Sequence, residues 1–353
     1  AAAASEQGEK LRQMDNANDY IIKLVTIQQS NAYLQRAQGE INAGNIDKDW
    51  AHLMNEAKNF DVKLTNVSDK YAAIAVQGPE SKKILMTLSG GRQLTPENVK
   101  NALNSLTMEG KPVRIAKTGY TGEPIGYELY CNSEDARYFW DRLIELGAKP
   151  TALGARDTTR MEAALPLYGH EMGECEMGGE IQIYAVPLAK FAVSFDEAKG
   201  DFIGREPLKK QFEALKKIMN RDYSSIEDLP YRIQPIYLEG KGVLRKGFPI
   251  YCKDAWAEGK QIGYVTSGTM IPYYKTEGQG LESVFTDETG KRSIGLAYMD
   301  SRICQDFDIE IDIRGRRQPA KVVGYHIRQD AAPYVRPILP DVKIETAAPS
   351  TDS

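Results

Sequence analysis

Two side chains of opposite charge stand beside glycine-rich turns in the middle of the chain, and both could bind a small polar ligand. Glu128 lies in the alternating string GYELY, soon after the turn TGYTGE at 118–123. Arg156 lies in the string GARD at 154–157, where a helix is predicted to begin. Such a pair could form charge-assisted hydrogen bonds to a ligand that carries both polar donors and a carboxylate.

Glu128 has two interpretations. An unpaired carboxylate buried in a strand costs several kcal/mol, so this residue lies either on a solvated strand face or against hydrogen-bond donors. As a ligand carboxylate it would suit a planar, amidine-like donor pair such as N3–H and the 2-amino group of a pterin. Each bond of that kind contributes about 1.5–3 kcal/mol.

Arg156 also has two interpretations. Asp157 complements the positive end of the helix dipole, whereas an arginine in the same turn opposes it. Arg156 therefore either pairs with Glu162 or another surface acid, or presents its guanidinium as a fork for a ligand carboxylate.

Other catalytic and binding motifs have little support in the sequence. The string LYGHEM at 167–172, with Glu174, Cys175 and Glu176 nearby, lacks the HExxH spacing, so we expect no metal site. The chain has no GxxxxGK[ST], no GxGxxG after a strand and no GxSxG. Nucleotide-binding and serine-hydrolase functions are therefore disfavoured.

Composition excludes further classes of function. The net charge of −4 provides no basic field for nucleic acid, and no apolar run reaches the 18 residues of a membrane span. The N-terminal string AAAASEQGEK lacks the charged and apolar regions of a secretory signal. The four cysteines are far apart and form no CxxC, so we expect reduced thiols and a cytoplasmic location.

The first two thirds of the chain mix strand and helix patterns. Predicted strands are 19–27, 62–69, 71–77, 113–117, the string with Glu128, and most of 181–195 with a break near Pro187. Predicted helices cover 47–54, 80–88, 135–146 and 208–219, with another beginning at 154, and 30–40 could be helix or loop. The order strand, helix, strand, strand, helix is typical of split βαβ, ferredoxin-like units.

The last third has a different pattern. Six short apolar runs separated by Gly and Asp turns predict a small antiparallel barrel. These runs are 232–238, 247–251, 261–267, 293–298, 308–313 and 320–325. The polar string RDYSSIEDLP at 221–230 marks the best boundary. We therefore predict an αβ region over 1–225, a barrel over 231–337 and a mobile tail over 338–353.

An ordered series of strings resembles the aminomethyltransferase (T-protein) family of the glycine cleavage system. The strings are NAGN at 42–45, VQGP at 76–79, TGYTGE at 118–123, GARD at 154–157 with RMEA at 160–163, LPLYGHE at 165–171, GDFIGR at 200–205, GYVTSGT at 263–269 and AKVV at 320–323. One string alone would be weak evidence, whereas the ordered series is specific.

The resemblance implies an α+β fold: two ferredoxin-like αβ subdomains around a central folate cavity plus a C-terminal antiparallel β-barrel, together a cloverleaf. It implies transfer of an aminomethyl group from the lipoyl arm of the H-protein to tetrahydrofolate, which yields 5,10-methylenetetrahydrofolate and ammonia. The alternatives are a tetrahydrofolate-dependent demethylase of a small methylated donor, and a non-catalytic folate-binding protein.

The resemblance also implies residue roles. Glu128 is expected to hold the pterin, although the segment EPIGYE that ends on it is one residue longer than in the family. The other expected folate-binding residues are Tyr120, Arg156, Asn42, Phe191 and Tyr334.

The sequence departs from the family pattern before residue 41. Family members carry a DVSHMGE-like string and a GGxxDD segment with the aspartate that orients the transfer, and neither string occurs here. Asp19, before the string YIIKLV, is the faint counterpart of that aspartate. We expect that the chain is incomplete in this region; the other possibility is folate binding without the full catalytic set.

Overall fold

The computed structural model describes residues 23–29, 36–41, 46–96, 102–197, 200–253, 257–278, 284–305 and 307–324. The chain divides into two compact units, the first ending at Thr151 and the second beginning at Ala152.

The described part of the first unit contains seven strands and three helices. In chain order they are β1 Lys23–Gln29, β2 Arg36–Ile41, α1 Ile46–Glu56, β3 Val62–Asn66, β4 Tyr71–Gln77, α2 Ser81–Leu88, β5 Leu103–Met108, β6 Lys111–Ala116, β7 Gly126–Asn132 and α3 Ala136–Glu145. Strands β1 to β3 form a sheet of order β2-β1-β3, and β4 to β7 form an antiparallel sheet of order β4-β7-β6-β5.

Helices α2 and α3 pack on one face of the four-stranded sheet. Leu85 of α2 and Phe139 of α3 share a core with Ile115 of β6 and Leu129 of β7, and all four side chains are fully buried. The apolar stripes that predicted these helices are therefore the faces that meet the sheet.

Two strands of the first unit differ from the expectation. Strand β5 was not predicted, because its string LNSLTM is polar and only Met108 is buried, as suits a sheet edge. The helix or loop expected over 30–40 is wrong for 36–40, which belongs to β2; this strand pairs with β1 from Lys23↔Ile41 to Gln28↔Arg36. A neighbouring strand satisfies the backbone there whatever the polarity of the side chains.

The described part of the second unit contains eight strands and three helices. They are α4 Leu153–Glu162, β8 Gly173–Glu174, β9 Glu180–Ile181, α5 Ala189–Ala192, α6 Arg205–Met219, β10 Tyr231–Leu238, β11 Pro249–Cys252, β12 Gln261–Glu277, β13 Val284–Asp300, β14 Asp308–Asp312 and β15 Arg317–Val322.

The strand predicted over 181–195 is wrong. The segment is a 3-10 turn at Ile183–Ala185 followed by the single-turn helix α5. The consecutive residues Tyr184, Ala185 and Val186 are all buried, with the Tyr184 ring 5.3 Å from that of Phe212 on α6. A continuous apolar run of this kind indicates burial but does not distinguish a strand from a compact turn.

Strands β10 to β15 close into an antiparallel barrel of order β10-β13-β12-β11-β14-β15. The predicted barrel and its six strands are confirmed, as is the α+β fold class. The interior is apolar: Ile236, Val265, Met299 and Ile309 are each fully buried.

Strands β12 and β13 are much longer than predicted, at 17 residues each. They pair beyond the barrel, for example at Ile271↔Arg292 and Tyr274↔Thr289, and so form a two-stranded ribbon. Within the described residues, no helix is long and apolar enough to cross a membrane.

Candidate functional site

The turn at 117–126 is fastened to the end of β4 by one side chain. The Gln77 amide nitrogen Nε2 donates to the carbonyl oxygens of Thr118 (3.1 Å) and Tyr127 (3.0 Å). The Thr121 hydroxyl donates to Gln77 Oε1 at 3.0 Å. Both ends of the turn are therefore held to the strand that lies next to Glu128.

Two glycines of this turn lie directly against the Gln77 amide. A Cβ at Gly119 would lie 1.8 Å from Gln77 Oε1, and one at Gly126 would lie 2.3 Å from the same atom. Real Cβ atoms do not approach so closely, and overpacking of this kind costs about 1–3 kcal/mol. The glycines that drew attention in the sequence therefore let the backbone close around the Gln77 amide.

Glu128 lies on the sheet face opposite to α2 and α3. Tyr127, Leu129 and Cys131 of β7 point into the core, and the alternation of the strand sends Glu128 and Tyr130 to the other face. The Tyr130 hydroxyl donates to Glu128 Oε2 at 3.0 Å. This hydrogen bond helps to orient the carboxylate.

Small side chains flank Glu128 on both neighbouring strands. Ala75 of β4 and Ala116 of β6 lie directly opposite it in the two ladders. Directly opposite residues have their Cβ atoms about 4.5–5.5 Å apart, so two methyl groups border the carboxylate. The partly exposed Glu128 thus has only small side chains directly beside it on the two neighbouring strands, which leaves room for a flat ring to approach it.

Tyr120 belongs to the same unit, between Gly119 and Thr121 on the fastened turn, and is partly buried. The structure therefore brings Tyr120 and Glu128 onto one scaffold, a turn and the strand that follows it.

Arg156 lies in the first turn of α4, as predicted for the string GARD. Its backbone nitrogen donates to the carbonyl oxygen of Ala152 at 3.1 Å, and Ala152 provides no side-chain cap. Arg156 is partly buried. The position of the Arg156 side chain also depends on the contacts that fix the C-terminal end of α4.

The end of α4 is held by a buried ion pair that the sequence did not reveal. Arg160 Nη1 lies 2.7 Å from Glu171 Oε2, and their side chains are 1% and 0% exposed. Arg160 also contacts Asp157 Oδ1 at 2.6 Å and donates to the Ser267 hydroxyl at 2.8 Å. The pair links α4, the loop after it and barrel strand β12.

Glu171 is fully hydrogen-bonded. Its Oε2 also accepts from the backbone nitrogen of Leu167 at 2.9 Å, and its Oε1 accepts from the hydroxyls of Thr266 (2.6 Å) and Ser267 (2.5 Å). His170 Nδ1 lies 3.2 Å from the Ser267 hydroxyl. The string LYGHEM therefore serves to dock a loop on the barrel, and Glu171 is committed to Arg160.

Phe191 lies on the single-turn helix α5, and its side chain is 78% exposed. The Lys190 ammonium lies 4.9 Å from the centre of its ring. Phe191 and Arg156 both belong to the second unit. Asp19, Asn42 and Tyr334 lie outside the described residues.

All four cysteines lie within the described residues, where none of them forms a disulfide. Cys131 is buried against the sheet core, and burial raises the pKa of its thiol to about 11. A thiol with so high a pKa is a poor nucleophile at neutral pH, so it serves packing.

Comparison with known proteins places these features in a family. A family model described as the GCVT N-terminal domain matches residues 16–184. The aminomethyltransferases of Anoxybacillus flavithermus and Bacillus mycoides are each 36% identical to the chain, over 289 and 295 residues respectively. In both cases the match covers 80% of this chain and 67% of the relative.

A further aminomethyltransferase, from Caldanaerobacter subterraneus, is 34% identical over 287 residues, which is 80% of this chain and 65% of that protein. The chain thus spans about two thirds of the length of these curated relatives. The crystal structure of glycine cleavage system aminomethyltransferase T from Bartonella henselae has the same fold, with a TM-score of 0.58 over 89% of this chain and 86% of that chain at 18% identity. The chain belongs to the aminomethyltransferase (T-protein) family of the glycine cleavage system.

Proposed function

We propose that this protein transfers the aminomethyl-derived methylene group from the lipoyl arm of the glycine cleavage H-protein to tetrahydrofolate. The methylene carbon loses its bonds to the lipoyl sulfur and to the amino nitrogen, and forms bonds to N5 and N10 of the folate. The two protons released from these folate nitrogens balance those gained by the thiol and by ammonia. Membership of the family supports the reaction, and Glu128 supports the co-substrate.

The setting of the Glu128 carboxylate, oriented by Tyr130 between two alanines, is the observation that carries the proposal. A carboxylate fixed by Tyr130 and bordered by Ala75 and Ala116 fits a flat heterocycle with two adjacent N–H donors. A pterin has these donors at N3 and at the 2-amino group. Two charge-assisted hydrogen bonds at about 1.5–3 kcal/mol each are enough to orient such a ring.

We assign supporting roles to the other candidate residues. Tyr120 would lie against the folate from the fastened turn, and Arg156 would bind a carboxylate of its glutamate tail. Phe191, Asn42 and Tyr334 would complete the folate contacts, as in the family pattern. Asp19 is the candidate, within this sequence, for the group that orients the reacting amine.

Most of the catalysis would come from positioning. Holding folate N5 and the aminomethyl carbon in contact geometry can lower the barrier by about 7–11 kcal/mol. Within the first unit, the turn held by Gln77 would contribute to this positioning.

The test is a transfer assay. Aminomethylated H-protein and tetrahydrofolate are mixed with the protein, and ammonia and 5,10-methylenetetrahydrofolate are measured together. We expect both products in equal amounts, faster than in the mixture without protein. Ammonia at only the uncatalysed rate would refute the proposal. Formation of 5-methyltetrahydrofolate from a small methylated donor, with the H-protein inert, would instead identify a demethylase.

A further inference from the structure

We propose that Tyr130 recognises the 2-amino group of the pterin and so makes the site specific for 2-amino heterocycles. The inference rests on the proposed function, because it takes a pterin as the ligand of Glu128. The Tyr130 hydroxyl donates its proton to Glu128 Oε2 at 3.0 Å. A phenolic oxygen that donates in this way can still accept a hydrogen bond. The two side chains therefore offer a ligand three neighbouring oxygen atoms.

The donor edge of a pterin matches these oxygens in number. It carries N3–H and the two N–H bonds of the 2-amino group, all in the plane of the ring. The Glu128 carboxylate accepts from N3–H and from the nearer amino hydrogen, as a carboxylate does with an amidine-like pair. The second amino hydrogen is then directed to the Tyr130 oxygen. A carboxylate has about four acceptor lone pairs, so Oε2 can accept from Tyr130 and from the ligand together.

Strand geometry gives the bound ring a direction. Glu128 and Tyr130 are two residues apart on β7 and point to the same face, about 6.8 Å apart along the strand. Gly126 and the turn held by Gln77 lie on the other side of Glu128. The 2-amino end of the pterin therefore lies toward Tyr130, and its 4-oxo end lies toward the turn.

Side chains of the same unit occupy the sheet face beyond Tyr130. Tyr130 is 7% exposed, and Arg114 of β6 lies directly opposite it. The Arg114 guanidinium lies 6.0 Å from the centre of the Tyr71 ring on β4. Because β7 lies between β4 and β6, these two side chains meet over β7. The positions beside Glu128 hold alanines instead, so a flat ring can approach the carboxylate but cannot move farther along the strand.

This arrangement predicts discrimination against ligands that lack the 2-amino group. Such a ligand leaves the Tyr130 oxygen and part of the Glu128 carboxylate without a donor. A site built to form hydrogen bonds rejects an analogue without the matching group, since its polar atoms are left unpaired. A tyrosine that served only to orient Glu128 would instead affect ligands with and without the amino group equally.

The test is anaerobic calorimetric titration of two ligands into the parent protein and Tyr130→Phe. The ligands are tetrahydrofolate and its analogue with a methyl group in place of the 2-amino group. We expect the parent to bind tetrahydrofolate at least about tenfold more tightly than the analogue. Phenylalanine keeps the ring and removes the oxygen, so Tyr130→Phe should bind tetrahydrofolate about five- to tenfold more weakly. Its affinity for the analogue should change by less than about twofold.

Tyr138→Phe is the matched control. Tyr138 of α3 donates to Glu109 Oε2 at 2.7 Å, so this variant also removes a hydrogen bond from a tyrosine to a carboxylate. It should bind both ligands like the parent. Equal weakening of both ligands in Tyr130→Phe, or no weakening, would overturn the inference even though the parent binds tetrahydrofolate. A parent protein that does not bind tetrahydrofolate would overturn the proposed function as well.

Discussion

Replacement of Glu171 by Gln tests how the second unit holds helix α4. The side chain keeps its shape but loses its charge, and the NH2 group of an amide replaces one of its two carboxylate oxygens. The four donors that Glu171 now satisfies are Arg160, the Leu167 backbone nitrogen, Thr266 and Ser267. Each oxygen accepts from two of these donors, so two of the four would face an amide NH2 group instead of an acceptor.

The magnitude follows from burial. Breaking a buried ion pair from one side costs about 3–5 kcal/mol, since the remaining charge is left without its partner. Arg160 keeps Asp157, whose side chain is 41% exposed, so the loss should lie near the lower limit, about 3 kcal/mol. For a unit of about 200 residues this lowers Tm by about 6–12 °C.

The assay is thermal and urea unfolding, with hydrogen exchange to localise the effect. We expect lost protection in peptides that cover α4 and 165–172, and unchanged protection in β4 to β7. Glu174→Gln, an exposed carboxylate three residues away, is the matched control and should change little. Arg160→Met/Glu171→Leu should cost less than the sum of the two single changes by at least about 1.5 kcal/mol. A Glu171→Gln protein within about 1 kcal/mol of the parent would refute the reasoning.

Two further predictions concern the first unit. Gly119→Ala should destabilise this unit by about 1–3 kcal/mol, because the new Cβ must displace the Gln77 amide. Gly110→Ala is the comparison variant: Gly110 has a positive φ and open space around it, so this substitution measures backbone strain without steric overlap. The hydrogen bonds and charge of Arg142 lower the pKa of Glu109 to about 2, from an ordinary value of 4.5. Stability from this pair is therefore complete above pH 4.5 and is lost as the pH falls toward 2. Unfolding free energies measured across that interval should fall less steeply for Glu109→Gln than for the parent, and identical slopes would contradict the assignment.

Much of the fold was predictable because its local patterns agree with its tertiary packing. The apolar stripe of α3 faces the sheet, and the six barrel strands carry short apolar runs. The failures lie where tertiary contacts override local pattern. Strand β5 is a polar edge, and the apolar run at 183–186 is buried without being a strand.

For the candidate site, the positions of the residues were predictable from the sequence but their partners were not. Glycine spacing and polar–apolar alternation predict the turn, the strand position of Glu128 and the helix start at Arg156. The partners were not, since no local pattern joins Arg160 to Ser267, 107 residues away in the chain. The hydrogen bond from Gln77 to Thr118 was not predictable for the same reason. The two residues are 41 positions apart in the chain and come into contact only in the folded sheet.

The most direct test of the central claim is calorimetric titration of tetrahydrofolate, under anaerobic conditions, into the parent protein and Glu128→Ala. Glu134→Ala, an exposed acid of the same unit, is the control. We predict at least about tenfold weaker binding for Glu128→Ala, or about 1.4 kcal/mol, with Glu134→Ala unchanged. Equal affinity of the parent and Glu128→Ala would remove this carboxylate from the folate site and contradict the account.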